Sequence, residues 1–169
     1  MLFRSEAVEP LVRGGTGSRS ESEEQPSFPP DRFEAGTLAT PAICGLEAGV
    51  DAVLARGVSE IREHERGLCE RLLERLAAVP GIVLYGPKDP ERMLPVVSFN
   101  VQGLAPDELA RGLFSRGVAC RVGLHCAPAA HRTIGTYPAG TVRFSPASSN
   151  TIEETDEAAS IVAELAAAR

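Results

Sequence analysis

Residues 95–101 alternate in character. Val97, Phe99 and Val101 fall on one side of the chain, Ser98 and Asn100 on the other. This is the period-two signature of a strand with one face in a core. Ile82-Val83-Leu84-Tyr85, Val118-Ala119-Cys120 and Thr141-Val142-Arg143-Phe144-Ser145 read as three further strands. Apolar residues at helical spacing mark the remaining elements. Pro41 opens a helix to about residue 56, with Ile43, Leu46, Val50, Val53 and Leu54 as its stripe. A longer helix over about residues 59–79 sets Ile61, Leu68, Leu72, Leu76 and Val79 against Glu63, Arg66, Glu70 and Glu74, the pattern of an outer helix with a solvated face. His64 lies among those charges as a surface histidine. Pro106 opens a third helix carrying Leu109, Ala110, Leu113 and Phe114, which stops near Gly117. Thr151, with Glu154 three residues on, forms a capping box for a last helix whose stripe is Ala158, Ile161, Val162 and Leu165.

Helices and strands in this order predict an α+β domain over residues 58–169: a small, mostly antiparallel sheet with helices packed on one face. Residues 41–57 form a linking helix. Residues 1–40 carry few apolar positions, Leu2, Phe3, Leu11 and Val12 among them. They cannot bury enough surface to fold alone and are expected to form an extended arm.

Composition narrows the function. A net charge of −6 argues against nucleic acid or an anionic membrane surface as partner. No apolar run is long enough to span a bilayer. Met1-Leu2-Phe3-Arg4 is not followed by the apolar segment of a secretory signal. Cys44, Cys69, Cys120 and Cys126 show no disulfide-framework spacing, so the reducing cytoplasm is the expected location. Cys120, His125, Cys126 and His131 fit no standard zinc spacing, and no metal is expected.

The densest chemistry lies in Arg121-Val122-Gly123-Leu124-His125-Cys126-Ala127-Pro128. A thiolate is the reactive form of cysteine, and nearby positive charge favours it. Gly123 permits a turn and Pro128 stops a strand, which places Cys126 on a loop. A structural thiol is the competing reading. Upstream, Gly14-Gly15-Thr16-Gly17-Ser18 offers backbone N–H groups and a hydroxyl, the parts of a phosphate cradle. Such runs also serve as plain linkers.

The cysteine segment resembles the active-cysteine segment of SufS-type cysteine desulfurases, pyridoxal-phosphate (PLP) enzymes of the class V aminotransferase superfamily. Four more segments continue the resemblance: Gly14-Gly15-Thr16-Gly17-Ser18, Arg32-Phe33-Glu34-Ala35-Gly36-Thr37, Gly140-Thr141-Val142-Arg143-Phe144-Ser145 and Asn150-Thr151-Ile152-Glu153-Glu154. Together they cover nearly the whole chain. The resemblance implies the small C-terminal domain of a fold-type I PLP enzyme, roughly the last two fifths of one. It implies an enzyme that converts L-cysteine to L-alanine and takes the sulfur as a persulfide on Cys126. Arg143 then grips the substrate carboxylate, and Arg121 is the second candidate at the substrate site. His125 either tunes Cys126 or orients its loop. Gly15 and Thr16 belong to a loop that reaches across a homodimer to the neighbour's cofactor phosphate. A sulfur-acceptor protein is a further implied partner.

Two departures matter. The Schiff-base lysine of such enzymes has no counterpart here: Lys88, the one lysine, sits in Gly86-Pro87-Lys88-Asp89-Pro90 without the family's surroundings. Leu124 stands where many SufS-type members carry histidine. Two alternatives therefore stay open: a class V aminotransferase or lyase of other specificity, and a truncated, non-catalytic domain.

Overall fold

The alternating segment becomes an inner strand of the sheet. The computed structural model describes residues 7–19 and 21–168, so Leu2 and Phe3 lie outside the described residues. The chain divides into two units, one ending at Ala55 and the other beginning at Arg56.

The second unit has the α+β architecture that the pattern predicts. Its helices and strands run α2 (Val58–Ala77), β1 (Ile82–Tyr85), β2 (Val97–Val101), α3 (Pro106–Phe114), β3 (Arg121–Gly123), α4 (Pro128–Thr133), β4 (Thr141–Phe144) and α5 (Ile152–Ala167), after a helix α1 (Thr40–Arg56). A 3-10 turn, Pro90–Arg92, lies between β1 and β2. The four strands form one sheet in the order β1-β2-β4-β3, and every pairing is antiparallel. Val97, Phe99 and Val101 of β2 are buried with Val142 and Phe144 of β4, and α2, α3 and α5 cover that face. The ring centroids of Phe99 and Phe144 meet edge to face at 5.0 Å, a preferred aromatic geometry.

Charged groups join the helices around this core. Arg71 of α2 makes a two-pronged contact with Asp156 of α5, at 2.7 and 3.0 Å, and those bonds hold the Asp156 carboxyl below its ordinary range. Arg62 donates to the carbonyls of Pro90 and Met93 and so ties the β1–β2 connection to α2. The capping box is present: Glu154 N–H donates to Thr151 Oγ1, and Thr151 N–H donates to Glu154 Oε2.

The structure differs from the sequence pattern in three places. Residues 118–120 form no strand. The Val118 N–H donates to Leu113 O and the Gly117 N–H to Phe114 O. With Gly117 at φ +80° these bonds make the Schellman ending of α3. Backbone committed to terminating a helix cannot join a ladder, so pairing starts at Arg121. His64 is half-buried rather than a surface residue, because its Nε2 lies 2.9 Å from Asn150 O. Phe114 is exposed although it continues the helical stripe.

The first unit is held by local bonds. The Gly36 N–H donates to Gly15 O, Gln25 Nε2 donates to Arg32 O, and Arg32 pairs with Glu9. Helix α1 forms where predicted, yet none of its residues is buried. Among the described residues, no helix is long and apolar enough to cross a membrane.

Candidate active site

Antiparallel register puts the chemistry on the sheet face opposite the core. In β4, Val142 and Phe144 point inward, so Thr141 and Arg143 point outward. In β2, Ser98 and Asn100 share that outer face. Arg143 lies opposite Ser98 on one side and opposite Arg121 on the other. Like charges facing each other across a ladder repel. Among the described residues neither arginine is in a salt bridge. Arg143 Nε is moreover buried without a hydrogen-bond partner. Planar guanidinium forks with spare donors have the geometry that suits a carboxylate or a similar anion.

Just beyond β3 the chain turns sharply. The Ala127 N–H donates to Leu124 O at 2.8 Å, so His125 and Cys126 are the central residues of a four-residue turn. Both have positive φ, 49° and 61°. Turns of that hand ordinarily take Asn and Gly. A side chain in this region costs about 1–3 kcal/mol per residue, and such strain gathers at functional sites. The turn leaves Cys126 exposed at its tip, and Pro128 follows as the first residue of α4.

His125 is fixed by β4. Its Nε2 lies 3.1 Å from Thr141 O and 3.2 Å from Thr141 Oγ1. A carbonyl only accepts, so Nε2 carries the proton and Nδ1 keeps its lone pair. Nδ1 is buried and without a partner among the described residues. Burial first, then the positive Arg143, pushes the imidazole below its ordinary value, and the bond to Thr141 opposes part of that shift. At neutral pH the ring is therefore an uncharged base with one open acceptor. His131, tilted toward it at a ring separation of 5.7 Å, is buried and bonded through Nδ1 to Thr136 Oγ1 at 2.7 Å.

The four thiols differ. Burial pushes Cys69 and Cys120 up, which disfavours their thiolates. Cys44 and Cys126 are exposed.

Arg121, His125, Cys126 and Arg143 thus lie near one another in the fold, on β3, β4 and the turn between β3 and α4. Gly15 and Thr16 belong to the first unit. There Thr16 Oγ1 lies 3.0 Å from Ser18 Oγ, Gly17 has φ +79°, and a methyl placed on Gly15 would meet nothing within 4 Å. The Gly14–Gly17 run lines a 730 Å³ cleft with Arg13 and Arg19. Lys88 sits exposed at φ 59° in the turn after β1.

Three neighbouring residues take no role from the sequence, Gly140 and Thr141 although they lie in a family segment and Asn100 outside any. Thr141 fixes His125, Asn100 reaches Gly140 O at 3.1 Å, and Gly140 packs on Gly123. Only the strand register brings them together.

A family model described as aminotransferase class-V matches residues 3–157. The chain belongs to the class-V aminotransferase family. Among class-V relatives, a probable cysteine desulfurase from Mycobacterium leprae is 36% identical over 149 residues, which cover 87% of this chain and 35% of that protein. The apo structure of a cysteine desulfurase from Thermococcus onnurineus superposes with a TM-score of 0.82 at 32% identity, covering 95% of this chain and 40% of that one. The cysteine desulfurase CsdA from Escherichia coli, in an S-sulfonic acid form, gives 0.78 at 25% identity over 96% and 40%. The chain therefore spans well under half the length of these class-V proteins. Its α+β unit has the fold of the corresponding part of a fold-type I PLP enzyme.

Proposed function

We propose that this chain supplies the cysteine-bearing side of a PLP-dependent cysteine desulfurase site, with Cys126 as the nucleophile. One observation carries the reading: an exposed thiol stands at the tip of a left-handed turn, next to a histidine anchored on β4 and beside the strand pair that carries two facing arginines. The residues present fit the amino-acid side of a PLP site. The cofactor, when bound, supplies the electron sink that loosens bonds at the substrate's α- and β-carbons.

The chain's own part follows from its chemistry. Arg143 and Arg121 hold the substrate carboxylate, which orients the substrate sulfur toward Cys126. His125, bonded through Nε2 to Thr141, orients the turn that carries Cys126, and the Cys126 thiol loses its proton to solvent before it reacts. The Cys126 thiolate attacks the substrate sulfur: an S–S bond forms, the C–S bond breaks, and its electron pair stays with the carbon skeleton that leaves as alanine. Cys126 is left as a persulfide for a sulfur-acceptor protein. Residues 1–40 act as the arm, 41–57 as the linking helix and 58–169 as the small domain. Gly15 and Thr16 contact the cofactor phosphate of the neighbouring subunit in a cytoplasmic homodimer, their N–H groups and hydroxyl suiting an anion.

The test uses a class-V enzyme that carries this chain as its corresponding segment. Cys126→Ala is expected to lower sulfide release from L-cysteine at least a thousandfold and to leave the cofactor's visible absorbance unchanged. Undiminished release in that variant would overturn the nucleophile assignment in favour of an aminotransferase or lyase. In the chain alone, limited alkylation at neutral pH is expected to label Cys126 ahead of Cys44, Cys69 and Cys120.

A further inference from the structure

Residues 124–139 form one long excursion between β3 and β4, and its two ends meet at a single point. Gly123 begins it and Gly140 closes it. A methyl on Gly140 would lie 2.2 Å from the Gly123 carbonyl carbon and oxygen, so the two backbones are in direct contact and only glycine fits. Gly140 is also tied to the interior of the excursion. Its N–H donates to Thr136 O, Thr136 N–H donates to His131 O, and His131 N–H donates to Ala127 O. That relay ends on the residue after Cys126. Whatever fixes Gly140 therefore fixes the cysteine turn from both sides.

One side chain from a core strand reaches this junction. Asn100, paired with Val83 in the β1–β2 ladder, donates through Nδ2 to Gly140 O at 3.1 Å. A second, longer approach to Tyr85 Oη is 3.4 Å. Asn100 Oδ1 is buried and without a partner among the described residues, a cost of about 1–3 kcal/mol for an amide in such a place. An apolar residue would avoid that cost, so the amide's contribution lies in the bond that it makes.

We propose that Asn100 is the positioning residue of the cysteine loop: its amide holds the Gly140 carbonyl, and through the Gly140–Gly123 contact it sets the turn that presents Cys126. This rests on the reading of Cys126 as the nucleophile, but the loop geometry can be measured apart from that chemistry. Asn100 touches no reacting atom in this role.

The experiment compares the native chain with Asn100→Ala, Asn100→Asp and Tyr85→Phe. Asp has the same shape as Asn but lacks the donor. Hydrogen exchange at the Ala127 amide, the donor that closes the turn, reads the loop directly. Exchange there is expected to rise at least tenfold in both Asn100 variants and to stay within twofold in Tyr85→Phe. Iodoacetamide labelling from pH 6 to 9, resolved by peptide, reads the consequence. The Cys126 labelling rate across that profile is expected to change at least threefold in both Asn100 variants, while Cys69 stays protected. Native exchange at Ala127 and a native Cys126 profile in both variants overturn the proposal. So does equal deprotection of Cys69 and Ala127, which marks a general loss of stability instead. If native Cys126 labels no faster than Cys44, the nucleophile reading fails, and the exchange result still decides the role of Asn100.

Discussion

At the scale of single residues the site depends on backbone hand. His125 and Cys126 occupy positions that suit glycine or asparagine, and Gly140 occupies one that nothing larger can enter. These positions give opposite responses to glycine and alanine. Cys126→Gly is expected to be about 1 kcal/mol more stable than Cys126→Ala, because the αL penalty disappears with the Cβ. Gly140→Ala adds a methyl against Gly123 backbone at φ +80° and is expected to lose about 3 kcal/mol or more. Urea titration of the three variants measures both. Arg121, His125, Cys126 and Arg143 can be named as candidates from sequence because each carries its chemistry in its own side chain. Asn100 cannot, nor can the role of Thr141 be read there, since an amide or a hydroxyl on the polar side of a strand looks the same whether it faces solvent or a partner.

At the scale of elements, the alternating and helical patterns were readable wherever burial imposed them. Strand β2 shows full alternation, and its buried positions are the ones that the pattern selects. The capping box places the start of α5 to the residue. Strand β3 could not be placed so well. Its three residues are exposed or half-buried, so no hydrophobic period marks them, and the apolar run before them serves to end α3. Helix α1 shows the converse: a clear stripe, with Leu46 and Leu54 both more than two-thirds exposed. Periodicity reports that a helix has an apolar face and is silent on what covers it. The core itself is expected to depend most on β2. Phe99 has no exposed surface, and Phe99→Ala is expected to cost about 3–5 kcal/mol, read as a lowered denaturation midpoint with an unchanged fold by circular dichroism.

At the scale of the molecule, the site leaves a mark on stability against pH. Burial and Arg143 lower the His125 value from the ordinary 6.5, so the folded chain favours the neutral ring more than the unfolded chain does. The stabilisation from this group is complete above about 6.5 and is lost as pH falls through the lowered folded value. The carboxyls of Asp156, Glu154 and Glu63 are lowered as well, from ordinary values of 3.8 to 4.5, so their contributions fade only in a separate, more acidic window. Denaturation midpoints at pH 7.5 and 5.5 are expected to differ in the native chain, and His125→Gln is expected to shrink that difference. An equal difference in the variant would show that another group controls this range.

Strand β3 lies at the edge of the sheet and bonds to β4 alone, through three residues. Breaking that short ladder also costs the packing of Val122 on the core and of β3 on α3, yet it leaves the β1–β2–β4 pairings in place. Local unfolding there is thus a smaller event than global unfolding, with its own lower free energy. Under the proposed function, Cys126 would meet groups of two kinds, a small amino acid and then an acceptor outside the site. On that reading, a thiol carried beside an edge strand can serve both encounters while the hydrophobic core stays folded.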